Sequence, residues 1–373
     1  MNVHKIFVFF VLLFLGLFFF FSLPLQSEEL LLPEKSVIDL HCHVAGIGTG
    51  ESGCFISRSM KNSYKFSFYL KAMDVSLSEI EKQGDILVFK RLNQKIEASR
   101  YIKKVVILAF DGIVKNGELD KETTEIYVPN EYVAEAIKKY KSFLLGASVN
   151  PYRKDALEKL EWVKQNGAVL LKWIPSIMHI DPQDSKIIPF YKKMIALKLP
   201  LLCHVGQERS FTGALDELCD PLRLELPLSL GVTVIAAHIA TTGKSNGQNN
   251  YERILPLFEK YPNLYADISS LTQINKLGYL SKALKDPRLK NKAVGTGRLV
   301  YGTDWPLQFF PLVSPIYHWR HLKFRDLFRI ARIKNKWDRD IFLKFKMGTP
   351  KEVFSLGETL LDPPPSLKAE PAT

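Results

Sequence analysis

Val37-Ile38-Asp39-Leu40-His41-Cys42-His43 is a short apolar stretch that ends in two histidines one residue apart. Successive side chains of a β-strand point to opposite faces, so His41 and His43 are expected on one side with Asp39 beneath them, and Leu40 and Cys42 on the other. Two imidazoles held that way can share a metal ion, although an isolated His-x-His is as readily a pair in an ordinary half-buried strand. The rest of the chain weighs against the plain reading. Three later apolar runs also end in a residue of the metal-ligand type: Pro200-Leu201-Leu202-Cys203-His204, Val232-Thr233-Val234-Ile235-Ala236-Ala237-His238 and Leu299-Val300-Tyr301-Gly302-Thr303-Asp304. Four strand candidates that each terminate in His or Asp are hard to obtain by chance.

Further buried strands are read at 104–110, 143–149, 168–172 (ending at Lys172) and 263–268, with helical composition at 76–100, 131–141, 154–165, 189–198, 222–230, 251–260 and 280–286. Asn130 is the expected N-cap of the helix at 131–141. Eight apolar strands, most of them separated by helices, imply parallel pairing through helical crossovers. The expected fold is therefore α/β, a (β/α)8 TIM barrel spanning 36–361. A doubly wound open sheet is the alternative, but its glycine-rich phosphate turn would follow the first strand, where His41-Cys42-His43 stands instead. The C-terminal strand ends of a barrel converge on one face, so His41, His43, Lys172, His204, His238 and Asp304 are expected to gather there. The Gly- and Ser-rich segment 44–59 reads as a long mobile loop beside the histidine pair, and with 207–221 it is where substrate selection is expected. His179 and His318 lack a strand-end setting and read as surface or structural histidines.

Residues 6–21 are wholly apolar apart from Gly16, and the run extends to Leu25. It is long for a signal-peptide core and near the lower limit for a bilayer span, and no small-x-small cleavage site follows it. The segment 1–27 is therefore expected to be an uncleaved membrane anchor with the barrel outside the cytoplasm; a cleaved signal and an exported soluble protein are the alternative. The tail 362–373 is Pro-rich and polar and reads as disordered. Much of the net charge of +12 comes from 320–351, which reads either as a surface for anionic membrane or an acidic partner, or as a solvated helical face. No basic patch interleaved with aromatics points to nucleic acid. Four cysteines are too few and too unevenly spaced for a disulfide framework, and Cys42 and Cys203 read as packing residues. Nothing in the composition sets the oligomeric state.

The constellation resembles the amidohydrolase superfamily of metal-dependent hydrolases, in particular its amidohydrolase-related branch, from Val37 to about Leu361. The resemblance rests on His41-x-His43, on Lys172, His204 and His238 at strand ends, on Gly302-Thr303-Asp304-Trp305-Pro306, and on the closing segment 347–354. It implies a small-molecule substrate and one or two divalent ions, zinc or another metal. His41 and His43 would bind the more buried ion, His204 would bind a metal, and Asp304 would serve as ligand and proton carrier. His238 would bind a second ion or hydrogen-bond the substrate oxygen. Lys172 would either carry a carboxyl group that bridges two ions or stay unmodified beside one. A bound zinc lowers the pKa of its water from about 15.7 to about 7. The implied reaction is hydrolysis of an amide, ester or lactone; non-oxidative decarboxylation by the same branch is the alternative, and a membrane-tethered binding protein that has lost activity is a third reading.

Overall fold

Eight parallel strands frame the structure, a computed structural model that describes residues 32–290 and 297–361. All eight strands lie between Val37 and Val300. They are β1 Val37–His43, β2 Ile102–Leu108, β3 Phe143–Ala147, β4 Ala168–Trp173, β5 Leu201–His204, β6 Val234–Ala237, β7 Leu264–Asp267 and β8 Leu299–Val300. Each pairs with the next in chain order. The segment after β8 returns to β1: Leu40 N donates to Tyr301 O (3.4 Å), Asp304 N to His41 O (2.9 Å) and His43 N to Trp305 O (2.9 Å). The sheet is thus curled round on itself, an α/β arrangement consistent with a (β/α)8 barrel.

The strands are apolar on both faces because neither face meets water. Ile38, Leu40, Val106, Leu108, Leu144, Leu170, Leu202, Ile235, Ala237 and Val300 form one buried cluster, with Tyr265 packed against it, so every strand contributes to a shared interior. The helices that cover the outside are α1 Ile86–Glu97, α2 Asn130–Lys139, α3 Ala156–Gln165, α4 Ile188–Ala196, α5 Glu225–Leu230, α6 Asn250–Lys260, α7 Tyr279–Lys285, α8 Phe324–Arg332, α9 Lys336–Lys346 and α10 Lys351–Leu361. Leu361 of α10 belongs to the interior cluster, and Leu356 and Leu360 pack against it, so this helix closes the barrel at the end away from the histidines.

Several expectations are corrected by packing that a strand pattern alone does not contain. The register of β1 against β2 shifts between Asp39 and Cys42, which breaks the simple alternation. Asp39 consequently does not lie beneath the histidines. Its carboxylate accepts from Trp337 Nε1 on α9 (2.8 Å) and from Thr303 Oγ1 (2.5 Å), while Leu40 faces the interior. Asn130 is the first residue of α2 rather than its cap, and its side chain instead clamps Ser148 after β3 through bonds of 2.7 and 2.8 Å. Lys172 is followed by one more strand residue, Trp173, and His238 by a tight turn. The 44–59 segment is not loose: Asp85 accepts from Ile47 N, Gly48 N, Thr49 Oγ1 and Ser52 Oγ at 2.9, 2.9, 2.8 and 2.5 Å. Its residues Phe55–Ile56 also pair with Ile126–Tyr127.

Part of the basic stretch is interior. Lys344 is fully buried, donating to Asp340 Oδ2 (2.7 Å) and Gly302 O (3.0 Å). His318 is structural but not at the surface, since it is buried with Nε2 3.0 Å from Thr272 O. All four cysteines are free and buried. The apolar run at 6–25 and the tail 362–373 lie outside the described residues; among the described residues no helix is long and apolar enough to cross a membrane.

Candidate metal centre

His41 is the hub of the site. It is fully buried, and its Nδ1 lies 2.7 Å from Asp267 Oδ2 at the end of β7. A carboxylate there holds the proton on Nδ1 and leaves the lone pair on Nε2, which is the tautomer a metal ligand needs. That Nε2 lies 3.0 Å from His43 Nε2, 3.2 Å from Lys172 Nζ and 3.6 Å from Asp304 Oδ1. Asp304 Oδ1 is also 3.4 Å from His43 Nε2, and its other oxygen is 3.9 Å from His238 Nε2. Ligand atoms of His41, His238 and Asp304 all fall within 4.8 Å of one another.

The backbone is bent to make this possible. His238, Ile239 and Ala240 follow one another with φ of 55, 52 and 52°, and Asp304 has φ 63°. Left-handed conformations are costly for residues with a Cβ, most of all for a β-branched one, and such strain gathers at functional sites. Gly302 has the opposite reason for its identity: a Cβ there would stand 3.0 Å from the Cβ of His41, so the approach of the β8 segment to β1 requires glycine. His238 is held from behind, its Nδ1 2.7 Å from Ser269 Oγ and 3.1 Å from Ser270 Oγ, while its backbone N donates to Asp267 Oδ1 (2.9 Å).

Burial lowers the pKa of all four imidazoles of His41, His43, His204 and His238, so they stand neutral, the form that ligates metal. For Asp304 burial pushes the other way, but the hydrogen bond of His43, with His41 and Lys276 close by, outweighs it and holds the carboxyl below its ordinary range. Neutral imidazoles with one ionised carboxylate in a buried pocket are a donor set that fits a divalent ion such as zinc or manganese.

Not every expected ligand joins the close group. Lys172 is 1% exposed and touches it through His41, and burial lowers its pKa. His204 stands off: its ring is 5.4 Å from that of His238, and the acid beside its Nε2 is Glu208, at 3.4 Å. His179 caps a short helix away from these contacts. Three residues escaped the sequence reading. Asp267 ends a strand just as His204 does, so the strand-end rule applied to β7 would have found it. Glu208 sits in a loop and Lys276 ends a 3-10 turn, Ile274–Lys276, and only the fold turns them toward the cavity. Burial brings Lys276 down to about 8.

The sequence profile described as amidohydrolase matches residues 111–312, more than half of the chain. The chain belongs to the amidohydrolase family. Membership makes it an enzyme of the metal-dependent hydrolase type, and hydrolysis and decarboxylation both fit that family. The match takes in Lys172, His204, His238, Asp267 and Asp304 of this amidohydrolase, while His41 and His43 lie before it. An uncharacterised TIM-barrel protein of Bordetella bronchiseptica is similar at 15% identity with a TM-score of 0.50, covering 84% of this chain and 99% of that one, which shows the fold. A candidate 2-pyrone-4,6-dicarboxylic acid hydrolase of Pseudomonas putida has 15% identity and a TM-score of 0.48 over 90% of this chain and 99% of its own. A 5-carboxyvanillate decarboxylase of Sphingomonas paucimobilis has 11% identity and a TM-score of 0.42 over 86% and 99%. No curated protein sequence matches the amidohydrolase.

Proposed function

We propose that this barrel hydrolyses an amide, ester or lactone with one divalent ion held by His41, His43, His238 and Asp304. The observation that carries the reading is the 2.7 Å contact of His41 Nδ1 with Asp267, which fixes the lone pair of Nε2 among the other three side chains. A divalent ion there would act as a Lewis acid that acidifies water and polarises a carbonyl. Asp304, ionised and open to the cavity, takes the proton of the attacking water and returns it to the leaving group. His238, fixed by Ser269 and Ser270, presents Nε2 to the ion's position beside Asp304, and Lys172 lies against His41 Nε2.

Among the described residues one close group, His41, His238 and Asp304, is found, which favours one ion over two and keeps decarboxylation as a second reading. In the two-ion form, Lys172 would be carboxylated and His204 would join the second ion. Metal content of the purified protein separates these. His41→Ala should abolish binding in either form. Lys172→Ala should keep a single ion, whereas a stoichiometry near two that falls to one in Lys172→Ala would overturn the one-ion form. His238→Asn should reduce hydrolysis. Turnover of carboxylated aromatic acids with none of esters, amides or lactones would replace hydrolysis by decarboxylation.

The apolar run at 6–25 supports a membrane anchor with the barrel outside the cytoplasm. Sequencing the N-terminus of the mature protein tests it: a start beyond Ser27 with a soluble product would establish a cleaved signal instead.

A further inference from the structure

The cavity that opens on the metal centre is divided by chemistry. It is lined by His43, His204, His238, Lys276 and Asp304 and, on a second, uncharged part of its wall, by Ile56, Met60, Leu70, Met73, Ile80 and Val88. Those six come from one stretch, the insertion between β1 and β2, while the first five come from strand ends and the segment after β7. Met60 and Met73 make the wall adaptable, since an unbranched thioether can repack around a flexible guest. Lys276 is 5% exposed and donates to Ser270 Oγ at 2.5 Å. Among the described residues no carboxylate lies within ion-pair distance of it; Asp304, Asp267 and Glu208 act on it only from farther off, which leaves a direct anionic partner to be supplied.

We propose that the substrate is an amphiphile, with a carboxyl-derived head held between Lys276 and the histidine–aspartate centre and a hydrocarbon tail laid along the wall of the β1–β2 insertion. The proposal rests on the hydrolytic reading only for the fate of the head; the binding of head and tail stands apart from it. A shorter or more polar guest would leave the apolar wall facing water and waste its burial.

The test is calorimetric titration of the full chain with acetate, butanoate, hexanoate, octanoate and decanoate. Affinity should rise by about fourfold per added methylene until the wall is covered. Met60→Trp should abolish that increment for the longer acids. Ile126→Lys, at a half-buried position of the same cavity where a charge is less of a threat to folding, should do the same. Lys276→Met should weaken every member by one common factor and keep the increment. Equal affinity across the series, or an increment untouched in both Met60→Trp and Ile126→Lys, would overturn the proposal. A clear increment with no turnover of any ester, amide or lactone would sink hydrolysis and leave the tail site standing. Ester turnover indifferent to chain length, with flat binding, would sink the tail site and leave hydrolysis.

Discussion

Asp267 divides its two oxygens between two histidines, one meeting His41 Nδ1 and the other the backbone N of His238. Asp267→Asn keeps an acceptor for the backbone but removes the charge that favours the Nδ1 tautomer of His41. Metal affinity should fall by about 10- to 100-fold with little change in melting temperature, as read by competition with a chromophoric chelator. Undiminished affinity would show that His41 is oriented by its packing alone. A pH prediction attaches to His318, whose burial holds its pKa below the ordinary value of 6.5. The unfolded chain takes up that proton near 6.5 while the folded one does not, so the His318 share of stability is lost as pH falls through that value. His318→Gln can still donate to Thr272 O without titrating. Its urea midpoint should drop less than the wild type's between about pH 7.5 and about pH 5.5; equal drops would remove His318 from the acid sensitivity. The gathering of His41, His43 and His238 near Asp304 was legible because a barrel needs only strand ends to place them. The direction of Asp39 was not, because a bulge is set by the partner strand, and Lys276 was not, because its loop becomes part of the site only through the return of the chain after β7.

The insertion between β1 and β2 looks loose in sequence because its glycines and serines carry no periodicity, yet one carboxylate organises it. Asp85, adjoining α1, gathers four donors from residues 47–52. Gly46 exists for the same reason, since a Cβ there would stand 2.2 Å from Asp85 Oδ2. Asp85→Ala leaves these donors without their acceptor and should cost about 2–3 kcal/mol in denaturant unfolding. Limited proteolysis should then cut within 46–57 first; resistance equal to wild type would mean that the Phe55–Ile56 pairing suffices. Behind β8, α9 plays a comparable part, with Asp340 receiving both Tyr301 OH (3.0 Å) and Lys344 Nζ (2.7 Å). Charge counting alone reads this helix as surface. An i to i+4 ion pair on an amphipathic helix has the same sequence signature whether it faces water or a sheet.

At the scale of the whole barrel the two ends have separate tasks, chemistry where His41 and Asp304 meet and closure where α10 enters the interior cluster. Leu361→Ala should cost about 2–4 kcal/mol through the cavity it leaves, with metal affinity unchanged. A loss of metal in that variant would show that the ends are coupled. The seam between the first and last strands carries a consequence for biogenesis. Synthesis runs from the N-terminus and domains generally fold as units, while His41 accepts from the backbone of Asp304, a residue made 263 positions later (304 − 41). A ribosome that has finished seven strands therefore holds a chain without Asp304, the carboxylate of the proposed ligand set. On the proposed ligand set, loading with metal is then one of the last events in the making of this enzyme, and a product truncated before Asp304 competes poorly with the finished one for the ion.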